Sequence, residues 1–254
     1  MHKGACMMGN HISVADVEDH YPEQSWQRLV FADLKSTLTS TSRPFPCVFG
    51  ASAIKSRQLR VAFVDPLTPD HLGPILRDYI THARDYGRMT SLVVFARPGP
   101  VRDMKSYEDQ LWTLLDGMER TDTTPRPPAI PAEIDHPNWE FCYAGEPIFV
   151  SCATPAHVLR ASRRSATFMA VFQPRWIFKG IMDSDEPAVQ RSLHNIRDRI
   201  MAYDAVPVFP YLGSYGNPEA REHVQYFIYD TNERPACPFH QLGQTNRPNE
   251  GEVA

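Results

Sequence analysis

Apolar residues return along this chain at two periods, and the switches between them mark out its elements. Trp26, Leu29, Val30, Leu34 and Leu38 recur every three or four residues, which predicts a helix closed by the stretch 40–46. Residues 59–65 alternate well enough for a strand, and Pro66 stops it. Leu72, Ile75, Leu76, Tyr79, Ile80 and Ala83 then form one helical face, opened by the acidic Asp70. A run of bulky residues in 90–96 predicts a central strand, and Tyr107, Leu111, Leu114, Leu115 and Met118 predict a further helix. Strand, helix, strand, helix in succession favours layers of sheet and helix.

The second half continues the pattern in shorter pieces. Pro125, Pro127, Pro128, Pro131 and Pro137 make 121–137 a linker or a long surface loop. Residues 139–141 and 148–152 resemble strands joined by a turn at Gly145-Glu146-Pro147. A short helix over 155–163, a strand over 166–173 and a last strand over 225–229 are also expected. Between them, Val189, Leu193, Ile196 and Ile200 form a helical face behind Asp185-Glu186-Pro187. The later strands read as further members of the same sheet. The expected fold is therefore α+β, a single domain with a mixed, largely antiparallel β-sheet covered by helices. Its expected parts are a flexible N-terminal arm over 1–20, the domain over 21–247 and a disordered tail over 248–254.

Composition narrows the function classes. The chain has 254 residues, 42% hydrophobic and 22% charged, with a formal net charge of -4, so no basic surface for nucleic acid stands out. No apolar stretch reaches the roughly 20 residues that span a bilayer, and the N-terminus lacks the apolar core of a signal peptide. Five cysteines, an odd number without a CxxC pair, do not read as a disulfide framework or a zinc site. A cytoplasmic protein without membrane or nucleic-acid partners is expected. Nucleotide loops of the Walker and Gly-x-Gly-x-x-Gly kinds are absent, as are His-Glu-x-x-His and Gly-x-Ser-x-Gly.

Three places carry candidate chemistry. Phe45-Pro46-Cys47 is mirrored by Cys237-Pro238-Phe239, each setting a thiol beside a backbone-fixing proline. Cys237 as a helix cap would favour a thiolate, serving as nucleophile, redox sulfur or iron ligand; the plainer reading is a packed turn. In Thr154-Pro155-Ala156-His157, the imidazole falls in a first helical turn, with Arg160 and Arg163 on roughly the same face. Such a trio suits an iron porphyrin, an anionic substrate or simply a solvated surface. Arg175 and Trp176, with Trp139, could line an apolar pocket, while Asp183, Asp185 and Glu186 read first as the acidic start of a helix.

These pieces, in this order, resemble the YqcI/YcgG family, whose members carry paired Phe-Pro-Cys and Cys-Pro-Phe motifs. The resemblance runs from about Phe45 to Asn246 and includes Trp139-Glu140-Phe141, Gly145-Glu146-Pro147, Arg160-Ala161-Ser162-Arg163 and Phe172-Gln173-Pro174-Arg175. It implies a haem-dependent N-oxygenase, with haem b as cofactor, O2 as oxidant and an external electron donor. The substrate would be arginine or another small guanidine or amine. On this reading His157 is the first choice of iron ligand, with Cys47 and Cys237 as rivals. Arg160, Arg163, Arg175 and Trp176 would serve the cofactor, and Glu146 and Asp183 the cationic substrate. A homodimer is left open. The competing expectations are a thiol-based redox or transfer enzyme using Cys47 and Cys237, and a non-enzymatic haem sensor.

Overall fold

The computed structural model describes residues 11–179, 187–213 and 215–235, in which the strands form one sheet ordered β1-β2-β3-β6-β5-β4. They are β1 (Ile12–Ser13), β2 (Leu59–Val64), β3 (Ser91–Ala96), β4 (Phe141–Tyr143), β5 (Glu146–Ala153) and β6 (Met169–Pro174). β2 and β3 run parallel, because helix α4 (Pro69–Tyr86) carries the chain back between them. The other neighbouring pairs are antiparallel. This is the expected α+β domain with a mixed, largely antiparallel sheet.

Helices cover both faces, and strand alternation decides which residue meets which layer. Leu92, Val94 and Ala96 of β3 pack with α4 and α5 (Met104–Thr121). Val93 and Phe95 point the other way, into the core shared with α2 (Trp26–Thr39) and α3 (Val48–Lys55). The short α1 (Val17–His20) precedes α2, and α6 is Pro187–Tyr203. Local signals set the helix starts. Thr68 accepts a hydrogen bond from the His71 amide with Pro69 at the first turn of α4, and Asp103 accepts one from the Ser106 amide at 2.7 Å. Gly117 brings α5 close to α4, since a Cβ there would sit 2.5 Å from Pro69 Cγ.

Several expectations are corrected. Residues 11–20, placed in a flexible arm, belong to the fold: β1 pairs with β2, and Val14 and Val17 are buried. Two well-spaced valines suffice there, although the periodicity is weak. Of the two readings of the proline-rich 121–137, the surface loop holds and the linker does not, because Arg126 donates to the Glu140 carbonyl at 2.8 Å and pairs with Glu119. Residues 155–163 form a helix only as a 3-10 turn at Ala161–Arg163. The strand expected at 225–229 is a 3-10 turn at His223–Gln225 followed by irregular chain, since the carbonyls of Gln225, Ile228 and Tyr229 are bonded by the side chains of Arg163, His157 and Arg160 rather than by a neighbouring strand. Helix α3, behind Pro46, was not expected at all. The 248–254 tail lies outside the described residues. No helix among those described is long and apolar enough to cross a membrane.

Candidate functional site

The loop after β5 and the segment 222–232 are bound together by the residues that looked most like cofactor ligands. His157 is fully buried, and both ring nitrogens are engaged: Nδ1 lies 2.8 Å from Thr154 Oγ1 and Nε2 lies 2.9 Å from the Ile228 carbonyl. Burial lowers its pKa and favours neutral imidazole. Arg160 is also buried, donating through Nε to the Tyr229 carbonyl at 2.8 Å and through Nη2 to Asn232 Oδ1 at 2.8 Å. Asp230 completes the joint by accepting from the amides of Val158, Leu159 and Arg160 at 2.8, 2.9 and 2.8 Å. Neither His157 nor Arg160 faces the cavity described next. Iron at His157 would require at least one of its two bonds to break.

That cavity, about 270 Å³, lies on the α2/α3 face of the sheet. Leu34 and Leu38 of α2, Phe45 and Phe49 around the start of α3, and Ile196 and Ile200 of α6 supply apolar wall. The sheet contributes Ser91, Ser151 and Gln173 among apolar neighbours, with Gln173 Nε2 donating to Ser91 Oγ at 3.1 Å. Cys47 also lines it, as the cap of α3; its Sγ accepts from the Gly50 amide at 3.5 Å. Burial raises the Cys47 thiol, while the Gly50 and Phe49 amides and the Arg163 charge act in the opposite direction.

Arg163 departs from Arg160. It lines the cavity, and among the described residues its guanidinium donates to carbonyl oxygens, those of Cys152 at 3.5 Å and Gln225 at 3.2 Å. No carboxylate forms an ion pair with it among the described residues. Desolvation brings its pKa down to about 10, the expected response of a cation held away from water. A second charged group meets the same cavity: Arg175, Glu222 and Tyr215 line it, and Arg175 bridges Glu222 to the fully buried Glu140. Two carboxylates on one guanidinium leave Arg175 committed to protein partners.

The remaining expected residues lie elsewhere. Glu146, 3.8 Å from Arg84, and Trp176, whose ring sits 4.7 Å from the Arg84 guanidinium, are outside the cavity wall. Asp183 and Cys237 are outside the described residues. Of the residues singled out from sequence, the cavity thus gathers Cys47, Arg163 and Arg175. Glu140, Glu222, Ser91, Ser151 and Gln173 were missed. Glu140 carried a signal, as an acid between Trp139 and Phe141 at the entrance to a strand; Glu222 carried none. Among the described residues no three His, Cys, Asp or Glu side chains converge as a metal-binding group, though a porphyrin iron needs only an axial side chain from the protein.

Comparison with known proteins bears on this arrangement. The chain is 40% identical over 236 residues to the uncharacterized protein YcgG of Bacillus subtilis (strain 168), covering 89% of this chain and 92% of that one. It is 40% identical over 227 residues to the uncharacterized protein YqcI of the same organism, covering 85% and 89%. A third relative is the Streptomyces lavendulae protein named "Putative N(omega)-hydroxy-L-arginine synthase DcsA", 33% identical over 226 residues, 84% of each chain. No solved structure matches significantly. The YqcI/YcgG family model matches residues 34–240, spanning strands β2 to β6, the cavity and its charged wall, and with these relatives it establishes that the chain belongs to the YqcI/YcgG family.

Proposed function

We propose that the chain is a haem-dependent N-oxygenase, hydroxylating a guanidine or amine nitrogen of arginine or a related small molecule, and that the cavity takes the haem. One observation carries the reading: a single apolar cavity presents a sulfur, Cys47, and a cation, Arg163, that has no carboxylate partner among the described residues. These residues fit the group. Cys47 Sγ would hold the iron, Arg163 would pair a propionate, and Leu34, Leu38, Phe45 and Phe49 would exclude water from the ring. The bound haem supplies dioxygen activation, with electrons from an external donor. The amide of Gly50 already donates to the sulfur and would temper its electron donation. Burial favours the protonated thiol at Cys47, which works against a thiol-enzyme reading that needs a free thiolate. The name carried by the Streptomyces lavendulae relative supports a guanidine substrate.

The test is spectroscopic first. Protein supplied with haem should show a Soret band, and its reduced carbon monoxide complex should carry the band position of thiolate ligation. Cys47→Ser should lose that position and His157→Ala should keep it. The reverse result would return the iron to imidazole, and no Soret band would overturn the haem reading. With O2, reductant and L-arginine, the product should be one oxygen atom heavier.

A further inference from the structure

The charged wall around Arg175 is out of balance. Its Nε donates to Glu140 Oε1 and Oε2 at 2.9 and 2.8 Å, and its Nη2 donates to both Glu140 and Glu222. Glu140 is 0% exposed and Glu222 4%, and neither forms an ion pair with another cation among the described residues. Of the other cations nearby, Arg126 is engaged by the Glu140 main-chain carbonyl and by Glu119, and Arg163 by the carbonyls of Cys152 and Gln225. Gln225 Nε2 donates to Glu222 Oε2 at 3.3 Å, the Tyr215 ring lies 4.2 Å from the Arg175 guanidinium, Glu146 acts on Glu140 from a nearby strand, and Glu140 in turn acts on the Tyr226 hydroxyl. Two buried carboxylates on one guanidinium leave a surplus negative charge, which is costly unless a proton or a second cation joins it. Glu222 lines the cavity and Glu140 does not, so a cationic ligand has access at Glu222.

Resting on the N-oxygenase reading, we propose that Glu222 is the cation-binding end of the cavity, and that the Glu140–Glu222 pair exchanges its one shared proton for the ligand's positive charge. The step balances simply. The protonated pair plus a guanidinium or ammonium ligand gives the ion-paired complex and one released proton, with no bond in the ligand made or broken. The wall loses one positive charge as the proton leaves and the ligand brings one in, so the total charge of wall plus ligand stays constant and the buried site gains no net charge. Burial raises the carboxyl pKa of Glu140 to about 7 and raises that of Glu222, which puts the exchange near neutrality. Below that region a proton must leave for the ligand to bind. Affinity should therefore rise about tenfold per pH unit and level off above it.

Titration calorimetry on the full chain, just below neutrality and in phosphate and Tris buffers, tests this. L-arginine should bind with release of about one proton, read from the difference in heat between the buffers. Agmatine, which keeps the guanidinium but lacks the carboxylate, should also release a proton. L-citrulline, with a neutral urea in place of the guanidinium, should bind more weakly and release none. Glu222→Gln and Glu140→Gln should each abolish the buffer dependence, and Glu222→Asp should restore it. The wild-type comparison decides even where a variant fails to fold. Buffer-independent arginine heats, equal affinity for citrulline, or no binding of arginine and agmatine would overturn the proposal. N-hydroxylation without proton release would overturn the exchange alone, whereas proton release without a haem spectrum would overturn the oxygenase reading and leave this site standing.

Discussion

An imidazole and two guanidiniums follow one another from His157 to Arg163, yet their surroundings separate them completely. His157 is buried with hydrogen-bond partners on both nitrogens, Arg160 is buried among carbonyls and Asn232, and Arg163 alone faces the cavity. His157→Ala would leave the Ile228 carbonyl without a partner and open a void. An expected loss of about 2–4 kcal/mol, measured by chemical denaturation, follows from those two effects. A loss well under 1 kcal/mol would mean the ring is not held as described. Residue type and spacing suggested a ligand here because they report chemistry without direction. Whether a side chain faces a cavity or a neighbouring carbonyl depends on residues such as Ile228 and Tyr229, distant in sequence.

At the scale of elements, helices whose apolar face exceeded three turns were legible, as were the buried strands β2, β3 and most of β5 and β6. Their periodicity is imposed by a layer on each side, so the pattern survives without knowledge of the partner. Segment 222–232 was not legible, because it is shaped by bonds to a loop far back in the chain. Asp230 is central to that contact, gathering amides of Val158, Leu159 and Arg160. Burial opposes its charge, but the three amides outweigh that and hold its carboxyl below the ordinary carboxylate range. Asp230→Ala is expected to destabilise by about 2–3 kcal/mol in denaturant unfolding, since three donors lose a charged acceptor. Faster amide exchange at Val158, Leu159 and Arg160 should accompany it; unchanged exchange there would sink the account.

For the whole molecule, the three histidines buried among the described residues set the response to acid. His11, His157 and His223 all have pKa values pushed below 6.5 by desolvation, His11 and His223 to about 4. The unfolded chain protonates them near 6.5 while the folded chain resists, so the stability they contribute is present above 6.5 and is lost as pH falls. Each contributes a slope of up to about 1.4 kcal/mol per pH unit inside that window. The Glu140–Glu222 pair acts in the opposite sense, because its raised carboxyls take up a proton in the folded state below about 7. Three histidines against one shared proton leave a net loss. Denaturation midpoints should therefore fall between pH 6.5 and 4, and a flat profile would show the histidines charged within the fold.

The sequence by itself determined the class of fold, the layering of helices on a mixed sheet, and, through its mirrored tripeptides and the pieces between them, the family. Each of these rests on local periodicity or on short ordered motifs. Only the tertiary structure decided which polar residues meet in one space. Ser91, Ser151 and Gln173 look like the solvent side of strands until α2, α3 and α6 wall in a cavity above them. Glu140 and Glu222 stand far apart in the chain and become a pair only because Arg175, at the end of β6, is driven between them. Charge balance in a buried site is a sum over distant segments, and no window along the chain contains all of its terms.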